Sequence, residues 1–253
     1  MEVILGGERP RFCGVYKIAN HVVKIISRYP FVHKTCDEYA CGEEPEFCVE
    51  TNLKDIEEEK LKAIEEDELE GIPRGKYYNI YLELTAVYRK ITEKLVESGV
   101  FLFHGSVIAV DGEAYLITAK SGTGKSTHTA LWRELFGARA VMVNDDKPLL
   151  ELSDDGVIVY GTPWNGKHNL GNNMSAPLKA ICILERGETN TIERLSAAEA
   201  FPMILQQSNR SIDADKMIKT LEWLEETLRR VPTYRLKCNM DIEAAKVAYE
   251  GMQ

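Results

Sequence analysis

The sequence predicts an α/β protein in which a smaller, β-rich α+β region precedes a larger domain. From residue 100 onward, short apolar runs typical of strands alternate with segments of helical periodicity. Residues 1–52 instead carry strand-like runs that Gly, Pro and Asn interrupt. An amphipathic helix with apolar residues every three or four positions ends near Ser98-Gly99. We therefore predict two regions, 1–98 and 99–253.

The first region contains predicted strands and two predicted helices, and its role stays open. Residues 22–26 and 46–50 have strand composition. The acidic tract 53–70 has a thin apolar stripe and reads as a helix with a solvated face. A break at residues 71–75 separates it from the amphipathic helix over 80–95. Such a region would dock a partner or close over a small molecule, and the sequence does not decide between these roles.

Composition and charge narrow the class of protein. The chain has 253 residues, of which 44% are hydrophobic and 28% charged, as in soluble globular proteins. Its net charge of −9 argues against nucleic acid or an anionic membrane as the main partner. The sequence has no apolar run of the ~20 residues that a membrane helix requires. Residues 1–8 lack the basic and apolar segments of a signal peptide, so we expect a cytoplasmic protein.

The six cysteines raise the question of a zinc site. Four of them fall in the first fifty residues, but their spacing is irregular and contains no Cys-x-x-Cys pair. We therefore expect small buried apolar residues rather than metal ligands. The cysteines are Cys13, Cys36, Cys41, Cys48, Cys182 and Cys238.

The second region reads as a series of strands and helices with one hairpin. Asp111-Gly112 is a strong hairpin signal between the strands over 106–110 and 114–118. Ser196 and Glu199 have the spacing of a capping box, and Asp241 is predicted to cap a last short helix. Further strands are predicted over 100–103, 140–143, 156–160, 179–184 and 233–236, and helices over 126–136, 196–206 and 212–230.

The most informative segment is residues 119–126, which read Ala-Lys-Ser-Gly-Thr-Gly-Lys-Ser between a strand and a helix. Backbone amides of a glycine loop and the positive end of a helix dipole together bind the phosphates of a nucleotide. In such a P-loop, Lys125 reaches the β- and γ-phosphates and the Ser126 hydroxyl binds Mg²⁺. The predicted ligands are therefore ATP and Mg²⁺. The predicted nucleotide-binding residues are Ser121, Gly122, Thr123, Gly124, Lys125, Ser126 and Thr127.

Ala119 departs from the usual pattern, which begins with glycine. Glycine at that point relieves a tight turn. Either the loop has a slightly different shape, or alanine fits the backbone angles there.

Two carboxylates follow the strand over 140–143, in the segment Asn144-Asp145-Asp146. A carboxylate at the end of a strand beside a phosphate loop is a typical Mg²⁺ ligand. One of the pair would hold the metal, and the other would accept a proton from an incoming hydroxyl. His104 also ends a strand that should neighbour the strand before the loop, which makes it of interest, although an isolated histidine at a strand end is more often structural or exposed to solvent.

The polar loop over 161–169 contains Trp, Asn, Lys and His together. A cation there would stabilise the transferring phosphoryl group, and Lys167 is the first candidate, with His168 second. The alternative is an exposed polar loop. Arg210 is a second-choice candidate for a phosphate contact, and a surface arginine near a helix cap is the favoured interpretation.

Three motifs in this order resemble the catalytic domain of HPr kinase/phosphorylase and its small relatives in the phosphoenolpyruvate carboxykinase-like P-loop group. They are His104-Gly105-Ser106, the loop over 117–126, and Asn144-Asp145-Asp146. The resemblance covers residues 100–165 well and the rest of the region loosely, whereas residues 1–99 do not resemble the family. It implies an α/β P-loop fold, Asp146 as a metal ligand with Ser126, and Asp145 as the general base beside His104. The residues themselves leave the order of the two Asp roles open.

These features predict a kinase that transfers the γ-phosphoryl group of ATP to a hydroxyl of a protein serine or of a small-molecule alcohol. The predicted catalytic residues are Asp145, His104, Lys125 and Lys167. The resemblance also implies a homo-oligomer. The arginine-rich loop that supports the phosphorylase reaction in HPr kinases is not recognisable in this sequence. The alternatives are a nucleotide-binding regulator that does not turn over and a simple ATPase.

Overall fold

A computed structural model describes residues 2–4, 11–70, 73, 75–208 and 213–253. The chain divides into two compact units, Met1–Lys94 and Leu95–Gln253, beside a predicted boundary at 98/99. Arg210, most of the segment 1–8 and part of the break predicted at 71–75 lie outside the described residues. We describe the two units separately.

The first unit combines a four-stranded sheet with helices. The strand order is β1-β2-β3-β4, with β3 and β4 parallel and the other pairs antiparallel. The acidic tract forms a helix, as predicted. The elements are β1 (Glu2–Ile4), β2 (Arg11–Ile18), β3 (His21–Ser27), α1 (Phe31–Thr35), β4 (Phe47–Glu50), α2 (Leu53–Glu70) and α3 (Asn79–Leu95).

A buried carboxylate fixes α3 to the strand ends of the first unit. Glu83 is fully buried and accepts hydrogen bonds from the backbone N–H groups of Arg28 (2.7 Å) and Tyr29 (2.8 Å). The Thr51 hydroxyl donates a third at 2.7 Å. Glu59 of α2 is also buried and binds the Arg89 guanidinium of α3 through both carboxylate oxygens. Buried charges that are paired in this way stabilise one arrangement of the helices.

The second unit is a mixed sheet with helices. Its strands are β5 (Val100–Leu102), β6 (Ser106–Val110), β7 (Glu113–Thr118), β8 (Ala140–Asn144), β9 (Leu149–Ser153), β10 (Gly156–Tyr160), β11 (Ser175–Arg186), β12 (Thr191–Leu195) and β13 (Thr233–Cys238). Its helices are α4 (Lys125–Phe136), α5 (Ala197–Gln206), α6 (Ala214–Arg230) and α7 (Ile242–Gly251). The capping box of Ser196 and Glu199 at α5 is confirmed.

The topology of this sheet gathers several strand ends at one edge. The strand order is β5-β9-β10-β11-β7-β6-β8, with β13 on β11 and β12 on β13. β7, β11 and β13 are parallel to one another, and both β7 and β8 are antiparallel to β6. The carboxyl ends of β7, β8, β11 and β13 and the start of β6 therefore lie at the same edge, which we call the carboxyl edge.

Both faces of the sheet are covered by helices. On β6, Val107 and Ala109 belong to an apolar cluster with residues of α5 and α6, whereas Ile108 belongs to a second cluster with residues of α4 and α7. Alternate side chains of a strand point to opposite faces, so each cluster packs one face. Trp132 of α4 is fully buried in the second cluster.

Some local predictions differ from the structure. β12 was not predicted, because its sequence Thr-Ile-Glu-Arg-Leu contains charged residues that are unusual in a strand. It is an edge strand that pairs with β13. Asp241 occupies the N-cap position of α7, but its side chain makes no capping bond and instead accepts one from Asn239. Cys48 is exposed, whereas Cys13 and Cys36 are buried as expected. In the described residues, none of the helices combines the length and apolarity needed to cross a membrane.

Candidate functional site

The segment between β7 and α4 is a tight turn that we call the glycine loop (residues 119–124). Gly122 has φ +71° and Gly124 has φ +124°, a region that side chains disfavour. The Thr123 N–H donates to the Lys120 carbonyl at 3.2 Å, and the His128 N–H donates to Gly124 at 2.9 Å. The loop is therefore closed by its own backbone and ends on the first turn of α4.

Alanine fits the first position of the loop. Ala119 is fully buried, and it is absent from the described non-glycine residues with positive φ. The Lys125 ammonium group donates to the Ala119 carbonyl at 3.1 Å, across the loop. The backbone φ angle at position 119 is therefore one that alanine accepts, as one of our two expectations stated.

Arg186 holds the glycine loop from the neighbouring strand. It ends β11 at the carboxyl edge, and its Nη2 donates to the Gly122 carbonyl at 2.6 Å. Its Nε donates to the Thr123 carbonyl at 3.3 Å. Sequence reasoning missed this residue because the strand was predicted to end at 184. The feature that could have revealed Arg186 is a cationic residue at the end of a strand that runs parallel to β7.

Asp145 is anchored inside the protein, next to the start of α4. Only 7% of its surface is exposed. The Ser106 hydroxyl of β6 donates to its Oδ1 at 2.6 Å, and this hydroxyl also lies 3.1 Å from the Thr129 hydroxyl of α4. The Thr129 hydroxyl in turn donates to the Ser126 carbonyl at 3.2 Å. The chain of polar groups ties Asp145 to the helix that begins at Lys125.

Asp146 is more open and lies beside His104. The His104 Nε2 is 3.3 Å from the Asp146 Oδ1. Burial raises the pKa of Asp146, but the hydrogen bond from His104 and the charges of Lys147 and Lys125 outweigh it and hold this pKa below its usual value. We expected His104 beside Asp145, whereas the structure puts it beside Asp146. The positive charges of His104 and Lys125 therefore both favour the ionised form of Asp146.

Asn144 orients the carboxylate pair. Its Oδ1 accepts the backbone N–H groups of Asp146 (2.9 Å) and Lys147 (2.7 Å), so the chain turns sharply after β8. Its Nδ2 donates to the Thr162 hydroxyl at 3.0 Å and to the Asn165 Oδ1 at 2.8 Å. These bonds join the carboxylates to the polar loop over 161–169.

The polar loop packs directly against the carboxylate pair. A Cβ on Gly161 would lie 1.9 Å from the Asn172 carbonyl oxygen, so only glycine allows this close approach. A Cβ on Gly166 would lie 3.1 Å from the Cβ of Asp146. Lys167 and His168 follow Gly166 and are exposed. The structure therefore brings the segment that carries Lys167 next to Asp146.

The oxygen donors near the loop suit a magnesium ion that is shared with phosphate. In the part of the chain that the structure describes, no group of three or more His, Cys, Asp or Glu side chains could hold a metal. The candidate donors are the Ser126 hydroxyl and the carboxylates of Asp145 and Asp146. Mg²⁺ is usually bound by one or two carboxylates together with substrate phosphates and water. This donor set fits that mode.

Comparisons with known proteins place the chain in a family. The family model described as "SynChlorMet cassette protein ScmC" matches residues 75–243, and the chain belongs to this family. The comparison with curated proteins found no match. Among solved structures, the HPr(Ser) kinase/phosphatase from Coxiella burnetii matches with 12% identity over 59% of this chain and 95% of that chain, at a TM-score of 0.34.

Proposed function

We propose that this protein is an ATP- and Mg²⁺-dependent kinase that transfers the γ-phosphoryl group to a hydroxyl of a protein serine or of a small-molecule alcohol. The observation that carries the proposal is the pairing of Asp146 with His104, within the influence of the Lys125 charge at the end of the glycine loop. Phosphoryl transfer depends on positioning and charge stabilisation, and it combines a phosphate cradle with a residue that orients the attacking hydroxyl.

The cradle is assigned to the backbone amides of residues 121–127 and to Lys125. The amides and the N-terminus of α4 would bind the β- and γ-phosphates, and the Lys125 ammonium would neutralise part of their charge. Ser126 and Asp145 would hold Mg²⁺. When bound, Mg²⁺ supplies further charge neutralisation of the phosphates. Asp145 suits this role because its bonded path through Ser106 and Thr129 ends beside Ser126.

The base is assigned to Asp146. The acceptor oxygen bonds to the γ-phosphorus while the bond from that phosphorus to the bridging oxygen of ADP breaks. The hydroxyl proton passes to the Asp146 carboxylate, and ADP leaves. This reverses the roles that the resemblance implies, because Asp146 is the more open carboxylate and His104 lies beside it. Lys167 would approach the transferring phosphoryl group from the polar loop.

The test combines a binding and a transfer measurement with matched controls. Lys125→Ala should weaken ATP binding at least tenfold, because the loop loses its cation. Asp146→Asn should keep ATP binding and lower transfer by about a hundredfold or more, as expected for loss of a base. Lys246→Ala and Asp154→Asn alter exposed residues of the same unit and should leave both unchanged.

Transfer is measured with γ-labelled ATP and Mg²⁺ against two acceptor pools, the proteins and the small molecules of a cell extract. Label should appear in one pool with the natural chain and disappear with Asp146→Asn. Full ATP binding by Lys125→Ala would refute the phosphate cradle. Release of labelled phosphate without any labelled acceptor would favour the ATPase instead, and binding without turnover would favour the regulator.

A further inference from the structure

The carboxyl edge also has a cavity, which lies on the side of the glycine loop away from the carboxylate pair. The cavity has a volume of about 500 Å³ and opens between the loop, the first turns of α4 and the ends of β11 and β13. Thr127 and Leu131 of α4, Leu184 of β11 and Met240 after β13 line it, and so does His128. This volume is in the range of small-ligand sites.

The strand order gives the cavity a position relative to the carboxylates. Across the sheet, five neighbouring strands lie in the order β13-β11-β7-β6-β8, and the glycine loop follows the central strand β7. His104 and Asp146 come from β6 and β8 on one side, whereas the cavity belongs to β11 and β13 on the other. A nucleotide with its γ-phosphate beside Asp146 would therefore direct its opposite end into the cavity.

The lining has the chemistry that a nucleobase needs. Leu131 and Leu184 present aliphatic surface, and Met240 is 79% exposed at the rim. Thioether groups pack favourably against aromatic rings. A large apolar side chain that stays exposed at the rim of a cavity gains contact when a flat aromatic ligand enters.

His128 provides an independent sign of a missing ligand. It is 2% exposed, and its Nε2 accepts a hydrogen bond from the Trp132 indole at 3.0 Å. The neutral ring therefore carries its hydrogen on Nδ1. This buried Nδ1 has no hydrogen-bond partner in the described part of the chain. A buried donor without a partner is costly, and a small shift of this wall on nucleoside binding would let an acceptor atom of the ligand reach it.

We propose that this cavity binds the nucleoside of ATP, with Met240, Leu131 and Leu184 packed against the base. The inference rests on the proposed function, because it extends the nucleotide from the glycine loop. It makes Met240 a residue that recognises the base but not the phosphates.

The experiment compares ATP with inorganic triphosphate, each with Mg²⁺, by calorimetric titration of the full chain. Met240→Ala should raise the Kd for ATP roughly tenfold through lost apolar contact and leave the Kd for triphosphate unchanged. Met240→Phe should keep or strengthen ATP binding, because an aromatic ring stacks on the base. Ile218→Ala removes another exposed apolar side chain of the same unit and should change neither Kd.

The outcomes separate this inference from the proposed function. Lys125→Ala should weaken both ligands. If the natural chain binds both ligands through Lys125 but Met240→Ala leaves the ATP Kd unchanged, the nucleoside placement is wrong and the kinase proposal stands. An equal loss of ATP and triphosphate with Met240→Ala also overturns the placement. If the natural chain binds neither ligand, both proposals fail.

Discussion

Asp145 and Asp146 are adjacent in sequence but have different surroundings. Asp145 is buried and accepts a hydrogen bond from Ser106. Asp146 is more exposed, pairs with His104, and has a pKa that the charge of Lys125 helps to lower. A carboxylate held by internal hydrogen bonds suits a fixed metal ligand, and an accessible one suits proton transfer. The difference arises because the chain turns around Asn144, which accepts the backbone N–H groups that follow it.

Arg186 leads to a prediction about the shape of the loop. It donates to the carbonyls of Gly122 and Thr123, so we expect this side chain to hold the loop in the shape that the proposed phosphate site requires. Arg186→Ala should weaken ATP and triphosphate about equally, by roughly tenfold, as for loss of charge-assisted hydrogen bonds. Calorimetric titration with both ligands measures this effect.

The same variant allows a rescue measurement. Arg186→Lys keeps one donor and should recover part of the affinity, and millimolar guanidinium should restore binding to Arg186→Ala. Arg229→Ala, an exposed arginine of α6, serves as the matched control and should bind normally. Unchanged affinity in Arg186→Ala, or a loss that guanidinium does not relieve, would show that the loop keeps its shape without this side chain.

At the residue scale, the sequence predicted the groups that belong to local motifs. Lys125, Ser126, Asp145, Asp146 and His104 stand next to recognisable strand ends, and the structure brings their segments to one edge. Ser106 and Arg186 had no predicted role because their partners lie far away in the sequence. The bond between Arg186 and Gly122, for example, joins residues 64 positions apart. Asn144 combines partners two and three residues away with the distant Thr162 and Asn165.

At the scale of elements, α4 links the glycine loop to the core. Its first residue is Lys125, and Trp132 lies at its centre, fully buried against Tyr115 of β7 with ring centroids 5.0 Å apart. The Trp132 indole donates to His128 one turn earlier. The same helix therefore follows the glycine loop at one end and makes a buried aromatic contact in its interior.

Burial of His128 predicts a pH dependence of stability. Desolvation lowers the pKa of His128 to about 4, against about 6.5 in an unfolded chain. Between these values the unfolded chain binds more protons, so this residue destabilises the fold as pH falls through that window and has no effect above it. His128→Gln keeps an acceptor for Trp132 but does not titrate.

Urea unfolding at pH 7 and pH 5 measures the effect. The loss of stability between these pH values should be about 2 kcal/mol larger in the natural chain than in His128→Gln. His168→Gln changes an exposed histidine of the same unit and should follow the natural chain. Equal pH dependence in the natural chain and His128→Gln would mean that His128 is not held neutral.

The sequence predicted elements best where periodicity was strong and least well where edge strands are polar or short. The helices α2, α3 and α4 and the strands β6 and β7 were predicted within a few residues. β9 and β12 were not, because pairing with β10 and β13 compensates for a weak local pattern. β11 is longer than predicted, since its two ends pair with different strands.

At the scale of the whole molecule, the glycine loop, the carboxylates and the cavity all belong to Leu95–Gln253. The first unit, Met1–Lys94, has its own sheet and its own buried carboxylate at Glu83. No sequence pattern gave the first unit a role. A ligand that binds only the folded site adds stability to the unit that contains it.

Nucleotide should therefore protect one unit selectively. At a concentration of ATP with Mg²⁺ about a hundred times the Kd, the free energy of unfolding of the second unit should rise by about 2.7 kcal/mol. Hydrogen exchange read by mass spectrometry would then slow in peptides of residues 95–253, most strongly at the glycine loop, while peptides of residues 11–70 serve as the internal reference. Lys125→Ala should show no protection at the same ATP concentration. Equal slowing across both units would contradict a site confined to the second unit, because the added stability must appear first where the phosphates are held.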